Sequence, residues 1–194
     1  AILLRAGALP APLLVIEERT VGAELGADSV HDGRNAAIIG FVAVAAYMVL
    51  TYGLFGMFAN LSLIMNIILI SAALTLLQST LTLPGIAGIV LTMGMAVDAN
   101  VLIYERIREE TRNGKTPLSA VQAGFDRAYG TILDANITTF IATAIMFQVG
   151  SGPVRGFAVT LMIGVMTSVY TAVTVTRFII TQYLRYRKPA QIAV

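Results

Sequence analysis

Two carboxylates lie inside the apolar segments of this 194-residue chain, Asp98 and Asp134. A charged side chain at the centre of a bilayer costs about 2.5–3.5 kcal/mol on insertion scales, so such residues are rare unless they face a polar interior. Desolvation disfavours the charged form of a carboxyl, which allows a proton to load and leave near neutral pH. Asp98, about 10 Å from one end of its segment at helical rise, is therefore the stronger candidate for proton transfer.

The neighbours of Asp98 support this interpretation. Gly94 precedes it by four residues on the same predicted helix face and leaves room for another helix or for water. Asn100 lies roughly opposite, where it is predicted to hydrogen-bond another helix. No Lys or Arg lies mid-segment to pair with Asp98, so we expect its partner in another chain. The alternative is an Asp that only hydrogen-bonds neighbouring helices.

Asp134 opens a polar turn and a half that also contains Asn136 and Thr139. The candidate proton relay consists of Asp98, Asp134, Asn136 and Thr139. Asp134 is explained equally well as an acid near a helix N-terminus, where the helix dipole favours negative charge. Both interpretations of Asp134 stay open at this point.

The apolar segments that carry these residues predict an all-α membrane protein. The chain is 57% hydrophobic and 12% charged, whereas a typical soluble domain is about a quarter charged. A helix needs about 20 mostly apolar residues to cross a bilayer. Five segments qualify: 35–52, 58–81, 84–105, 131–149 and 157–183.

Two further patterns concern the connections. Thr116 and Pro117 predict a helix start, and Leu118, Val121 and Phe125 follow at helical spacing. We expect a short amphipathic helix there, at the cytoplasmic membrane surface. The candidate helix-packing or hinge positions are Gly94, Gly152, Gly156 and Gly164, because a missing side chain lets helices approach or turn.

Lys and Arg cluster in two places, which predicts the orientation. One cluster precedes the fourth segment and the other follows the fifth: Arg106, Arg108, Arg112, Lys115 and Arg127, then Arg185, Arg187 and Lys188. Cytoplasmic loops are enriched in these residues, so both clusters are predicted to be cytoplasmic and the N-terminal side periplasmic. This pattern does not favour nucleic-acid binding.

The sequence offers no catalytic or cofactor motif. Cysteine is absent, and the one histidine, His31, lies in a polar linker. No phosphate-binding loop, metal-spaced cluster or nucleophile triad is present, so we predict no enzyme, no cofactor and no metal site.

The predicted organisation has three parts. Residues 1–32 form the end of a periplasmic domain and a linker, in which 11–21 predict a short strand after a helix remnant. Residues 33–188 form the five-helix membrane domain, and 189–194 a cytoplasmic tail. Because the chain starts at Ala1 with neither Met nor a leader, we expect a fragment of a longer protein.

The run from Leu83 through Asp98 to Glu110 resembles the SecD family of the bacterial Sec protein-export apparatus, as do residues 12–28, 133–139 and 150–164. The resemblance implies five spans of a six-span half-bundle of the resistance-nodulation-division type, in the bacterial inner membrane. It also implies SecF, the SecYEG channel, YajC and YidC as partners, and use of the proton motive force for late steps of export. The acid at Asp98 is then implicated in proton passage. The resemblance further implies a first span and a large periplasmic domain that precede these residues in the family.

Two other functions remain as alternatives. A small-molecule or lipid exporter of the same superfamily would also use an intramembrane acid. Drug pumps carry adjacent acids in this span, whereas Ala99 and Asn100 follow Asp98 here, which favours protein export. The second alternative is a scaffold that stabilises the translocon without transporting anything.

Overall fold

The described part of the chain is built of helices only. A computed structural model describes residues 23–79 and 82–187; the predicted strand and helix remnant within residues 1–22, and the tail from 188, lie outside them. The elements are α1 (Ala23–Leu76), α2 (Leu83–Arg112), α3 (Pro117–Val149), α4 (Gly152–Tyr170), a π-helical segment (Thr171–Val175) and α5 (Thr176–Arg187). The predicted all-helical class is confirmed.

The first helix reverses direction at Gly53. Its φ and ψ angles of 54° and −121° lie in a region that is open to glycine but strongly disfavoured for residues with a Cβ. Asn60 Nδ2 donates a 3.0 Å hydrogen bond to the carbonyl of Ala45, 15 residues earlier. A straight helix of that length would separate the two residues by about 22 Å. Residues 23–52 (arm 1a) and 54–76 (arm 1b) therefore lie side by side.

Within residues 23–79 and 82–187, four helical stretches are long and apolar enough to cross a membrane. They are Val30–Leu76 with 47 residues, α2 with 30, α3 with 33, and the continuous rod Gly152–Arg187 with 36. The first stretch carries two predicted spans, one on each arm. Ile39 and Leu50 on arm 1a are 69% and 86% exposed, and such apolar outward side chains are typical of a surface that faces lipid.

Aromatic side chains fix the reversal to α2. Tyr104 is fully buried, and its hydroxyl donates a 2.8 Å hydrogen bond to the Phe55 carbonyl. The Tyr104 ring meets the Phe55 ring edge-on, with 5.6 Å between centroids, and the Tyr52 ring lies 5.3 Å away. Tyr52 also donates to Glu105 at 3.1 Å. Both sides of Gly53 are thus anchored to the C-terminal part of α2.

α3 is one continuous helix, which corrects the prediction of a separate amphipathic helix near its start. The predicted start after Thr116 is confirmed, but the helix continues through 33 residues without a break. Val121 and Phe125 are buried in the same cluster as Ile107 of α2. A Cβ on Gly124 would collide with Ile107. Because this glycine lets the helices approach, Val121 and Phe125 pack against α2, whereas Leu118 of the predicted apolar face is 39% exposed.

Candidate functional site

Asp98 lies on the outer face of the bundle, where α2 and α3 form a groove of about 250 Å³. α2 lines the groove with Met95, Asp98, Ala99 and Leu102, and α3 lines it with Thr131, Ile132, Ala135, Asn136 and Thr139. The Asp98 side chain is exposed in this chain alone. Whatever covers it in a membrane therefore lies outside the described residues.

The groove surrounds Asp98 with uncharged groups. Among the described residues its carboxylate has no hydrogen bond or ion pair, and no other lining residue is titratable. Asn136 Nδ2 donates to the Ile132 carbonyl at 2.7 Å, and Thr139 Oγ1 donates to the Ala135 carbonyl at 3.1 Å. Because these bonds use donor hydrogens, the side-chain oxygens of Asn136 and Thr139 can still accept a bond from water or from a protonated carboxyl.

Asp134 does not line this groove. It is exposed elsewhere on α3, and its backbone carbonyl accepts a 3.0 Å bond from Thr138 Oγ1. The structure therefore brings together three of the four residues of the predicted relay, Asp98, Asn136 and Thr139.

On the buried side of α2, Asn100 contacts the rod. It is 2% exposed, its Nδ2 donates to the Ala96 carbonyl at 3.1 Å, and its Oδ1 accepts from Thr176 Oγ1 at 3.1 Å. The predicted hydrogen bond to another helix is confirmed. The sequence does not predict Thr176 as the partner of Asn100. The π-helical segment before Thr176 is also not predicted, because a Thr- and Val-rich stretch of an apolar helix gives no signal for a π turn.

The four candidate packing or hinge glycines have different surroundings. A Cβ on Gly164 would overlap Thr92, and one on Gly156 would lie 2.9 Å from a side-chain oxygen at the start of α2. Both glycines therefore allow a close approach of α2 and α4. Gly152 begins α4 with a φ of 51°. A Cβ added to Gly94 would have no atom within 4 Å, and Gly94 is exposed, as Asp98 is.

A buried carboxylate closes the turn between α2 and α3. Glu110 is 1% exposed, and its oxygens lie 2.6 Å from Lys115 Nζ and 2.6 Å from Arg127 Nη1. The two cations compensate the charge, so Glu110 ties the end of α2 to α3. Beside this turn, Arg177 of α5 lies 3.3 Å from Asp126 of α3.

A family match covers the groove, the reversal at Gly53 and the rod. The family described as "Protein export membrane protein SecD/SecF, C-terminal" matches residues 9–186. The chain belongs to this family. The resemblance to SecD proposed from the motifs around Asp98 is thereby confirmed.

Curated relatives of the SecD/SecF family are similar over the whole chain. Protein translocase subunit SecD of Rhodobacter capsulatus is 57% identical over 194 residues, and that of Magnetococcus marinus is 58% identical over 188. The alignments cover 100% and 97% of this chain, but 35% and 36% of the relatives. The chain thus spans about a third of the length of these SecD proteins.

Solved SecDF structures have the same fold. The crystal structure of SecDF from Thermus thermophilus, described as a translocon-associated membrane protein, matches with a TM-score of 0.86 at 45% identity. SecDF in a super-membrane-facing form matches with a TM-score of 0.81 at 44% identity. Each match covers 96% of this chain and 26% of the SecDF chain.

Proposed function

We propose that this chain is the membrane part of a SecD subunit that works with SecF at the SecYEG channel. The complete protein uses the proton motive force to promote late steps of protein export across the bacterial inner membrane. The relatives named protein translocase subunit SecD support the role in export. The observation that supports proton coupling is the Asp98 carboxylate, which has no partner among the described residues and lies in an uncharged groove.

The proposed topology has five spans: arm 1a, arm 1b, α2, α3 and the rod. The reversal at Gly53 supports counting α1 twice. The Arg177–Asp126 ion pair supports placing the end of the rod and the α2–α3 turn on one side of the membrane. Both places are rich in Lys and Arg, so that side is cytoplasmic and the N-terminal side is periplasmic.

The proposed mechanism starts from the cost of leaving Asp98 charged against lipid, about 2.5–3.5 kcal/mol on insertion scales. Helices of SecF would cover the groove, and Gly94 leaves open space for them beside the carboxyl. A carboxylate only accepts hydrogen bonds, whereas a protonated carboxyl also donates one. Asn136 and Thr139 offer acceptor oxygens for that donor. Loading and release of the proton would then bias two packings of the SecD and SecF helices.

The direct test is Asp98→Asn in full-length SecD, assembled with SecF in inverted membrane vesicles. Export of a radiolabelled precursor is measured after ATP-driven initiation, with and without a proton gradient. We expect Asp98→Asn to abolish the stimulation by the gradient, because an amide side chain cannot bind and release a proton near neutral pH. Asp134→Asn is the matched control, since it removes a carboxyl from the same membrane domain but outside the groove.

The outcomes separate the proposal from its alternatives. Undiminished stimulation by the gradient in Asp98→Asn would reject proton coupling through this carboxyl and favour a scaffold. Loss of stimulation in both variants would extend the proton path to Asp134. Normal export combined with loss of drug or lipid efflux would favour a small-molecule exporter.

A further inference from the structure

A buried hydrogen-bond node joins arm 1b, α2 and the rod. Its members, Ser62, Asn100, Thr171 and Thr176, are each at most 2% exposed. Thr176 Oγ1 lies 3.1 Å from Asn100 Oδ1 and 3.2 Å from the Thr171 carbonyl oxygen. Ser62 Oγ donates to the same carbonyl at 3.0 Å. The hydroxyls of Ser62 and Thr176 thus connect the three helices.

The π-helical segment determines where the hydroxyl hydrogen of Thr176 goes. In this segment the Thr176 N–H bonds the Thr171 carbonyl, five residues earlier. A carbonyl oxygen has two lone pairs, and the Thr176 N–H together with the Ser62 hydroxyl occupies both. The single hydroxyl hydrogen of Thr176 is therefore available to Asn100 Oδ1.

The hydrogen bond between Thr176 and Asn100 fixes the orientation of α2 about its own axis. Its Nδ2 is held by the Ala96 carbonyl, which leaves Oδ1 directed at Thr176. Asn100 follows Asp98 by two residues, about 200° around the helix. With Asn100 held inward, Asp98 lies on the outer face at the groove. Between helices in lipid there is no hydrophobic driving force, so packing and such polar bonds set the rotation of a helix.

We propose that Thr176 is a positioning residue for Asp98. Its hydroxyl fixes the rotation of α2 that presents the carboxyl to the groove. The role of this position in export rests on the proposed function of Asp98, whereas the geometric part of the proposal does not. Asp98 is the one titratable group that the described helices bring to this groove. A rotation of α2 would therefore change the accessibility of residue 98 in the groove, which can be measured.

The test measures the presentation of position 98 directly. In full-length SecD assembled with SecF and freed of other cysteines, Asp98→Cys is labelled with a maleimide in membranes. Adding Thr176→Val removes the hydroxyl at nearly unchanged volume, and Thr176→Ser keeps it. An interhelical bond of average strength in a membrane corresponds to about a threefold change in a conformational equilibrium. We expect Thr176→Val to change the labelling rate by about threefold and Thr176→Ser to restore it.

The matched control is Thr160→Val, which lies earlier in the same rod. Thr160 is 3% exposed, and its hydroxyl donates within its own helix, to the Gly156 carbonyl at 3.1 Å. It should leave the labelling rate unchanged. Equal labelling of the parent and Thr176→Val, or an equal effect of Thr160→Val, would overturn the proposal.

A second readout uses the native carboxyl at position 98. The pH profile of gradient-driven export should move in Thr176→Val and return to the native profile in Thr176→Ser, because only the serine keeps the hydroxyl that positions α2. An unmoved profile would also count against the positioning role. If Asp98→Asn leaves export intact, the proposed function fails, while the labelling result still decides the position of residue 98.

Discussion

Replacing Gly164 with alanine tests how closely α2 and α4 must approach. An added Cβ would overlap the Thr92 side chain. Thr92 cannot resolve the overlap by rotation alone, because its own Cβ would lie 2.9 Å from the new atom. Its hydroxyl is also engaged, donating to the Gly88 carbonyl at 2.8 Å. We therefore expect Gly164→Ala to push the two helices apart.

The expected loss is the cost of overpacking, about 1–3 kcal/mol. A change of 1 kcal/mol moves the unfolding midpoint of a domain of this size by about 2–4 °C, so the clash alone lowers the midpoint by about 2–12 °C. Alanine also gains up to about 1 kcal/mol over glycine in helix propensity. Gly130→Ala on α3 is the matched control, because a Cβ there has no atom within 4 Å. The difference between the two variants isolates the clash.

The assay is the thermal unfolding of full-length SecD in detergent, followed by fluorescence-detected size-exclusion chromatography after heating. Equal midpoints for Gly164→Ala and Gly130→Ala would refute the packing argument. Thr92→Ala in the Gly164→Ala background should recover part of the loss, because it removes Oγ1 and Cγ2. A coupling energy of at least about 0.5 kcal/mol in this double-mutant cycle is expected for residues in contact. Simple additivity would contradict the contact.

Three more variants test other parts of the structure. Tyr104→Phe removes the 2.8 Å bond to the Phe55 carbonyl and should destabilise SecD by about 1–2 kcal/mol in the same assay; an unchanged midpoint would argue against the anchor. Asn66 is fully buried with both amide atoms unpaired among the described residues, so Asn66→Leu should raise the midpoint, and a lower midpoint would reveal a missed partner. Gly94→Leu should leave the midpoint of SecD unchanged but reduce co-purification with SecF and gradient-driven export, whereas normal export would show that no helix approaches there.

Hydropathy located the helices but not their ends. Hydropathy predicts that the third apolar segment ends near Glu105, yet α2 continues to Arg112. Charged residues end the hydropathy signal there without ending the helix, because they pair along it. Arg108 lies 2.7 Å from Glu105, and Arg106 lies 2.8 Å from Glu109. Such pairs, three residues apart, stabilise a helix that has left the apolar region.

The sequence predicts part of the candidate site correctly. Helical spacing explains why Asp134 does not lie in the groove with the other predicted residues. Asn136 and Thr139 are three residues apart and share a face, so they meet Asp98 in one groove. Asp134 precedes Asn136 by two residues, about 200° around the helix, so one groove cannot receive both side chains. The bond from Thr176 to Asn100 had no such signature, since it depends on a π turn in a different helix.

The position of Asp98 also constrains how a proton cycle would be coupled to assembly. The described residues bring no cation to the groove, so none of them compensates the charge of the carboxylate. Under the proposed function, the charged form then needs a hydrogen-bond donor or water from the SecF helices that would cover the groove. Suppose that SecF binds the charged and neutral forms of Asp98 with different affinities. Binding of SecF must then change the proton affinity of Asp98 by the same factor by which proton release changes the affinity for SecF. Proton binding and helix packing are then thermodynamically coupled. Equal affinity of SecF for Asp98→Asn and for the native protein would contradict this coupling.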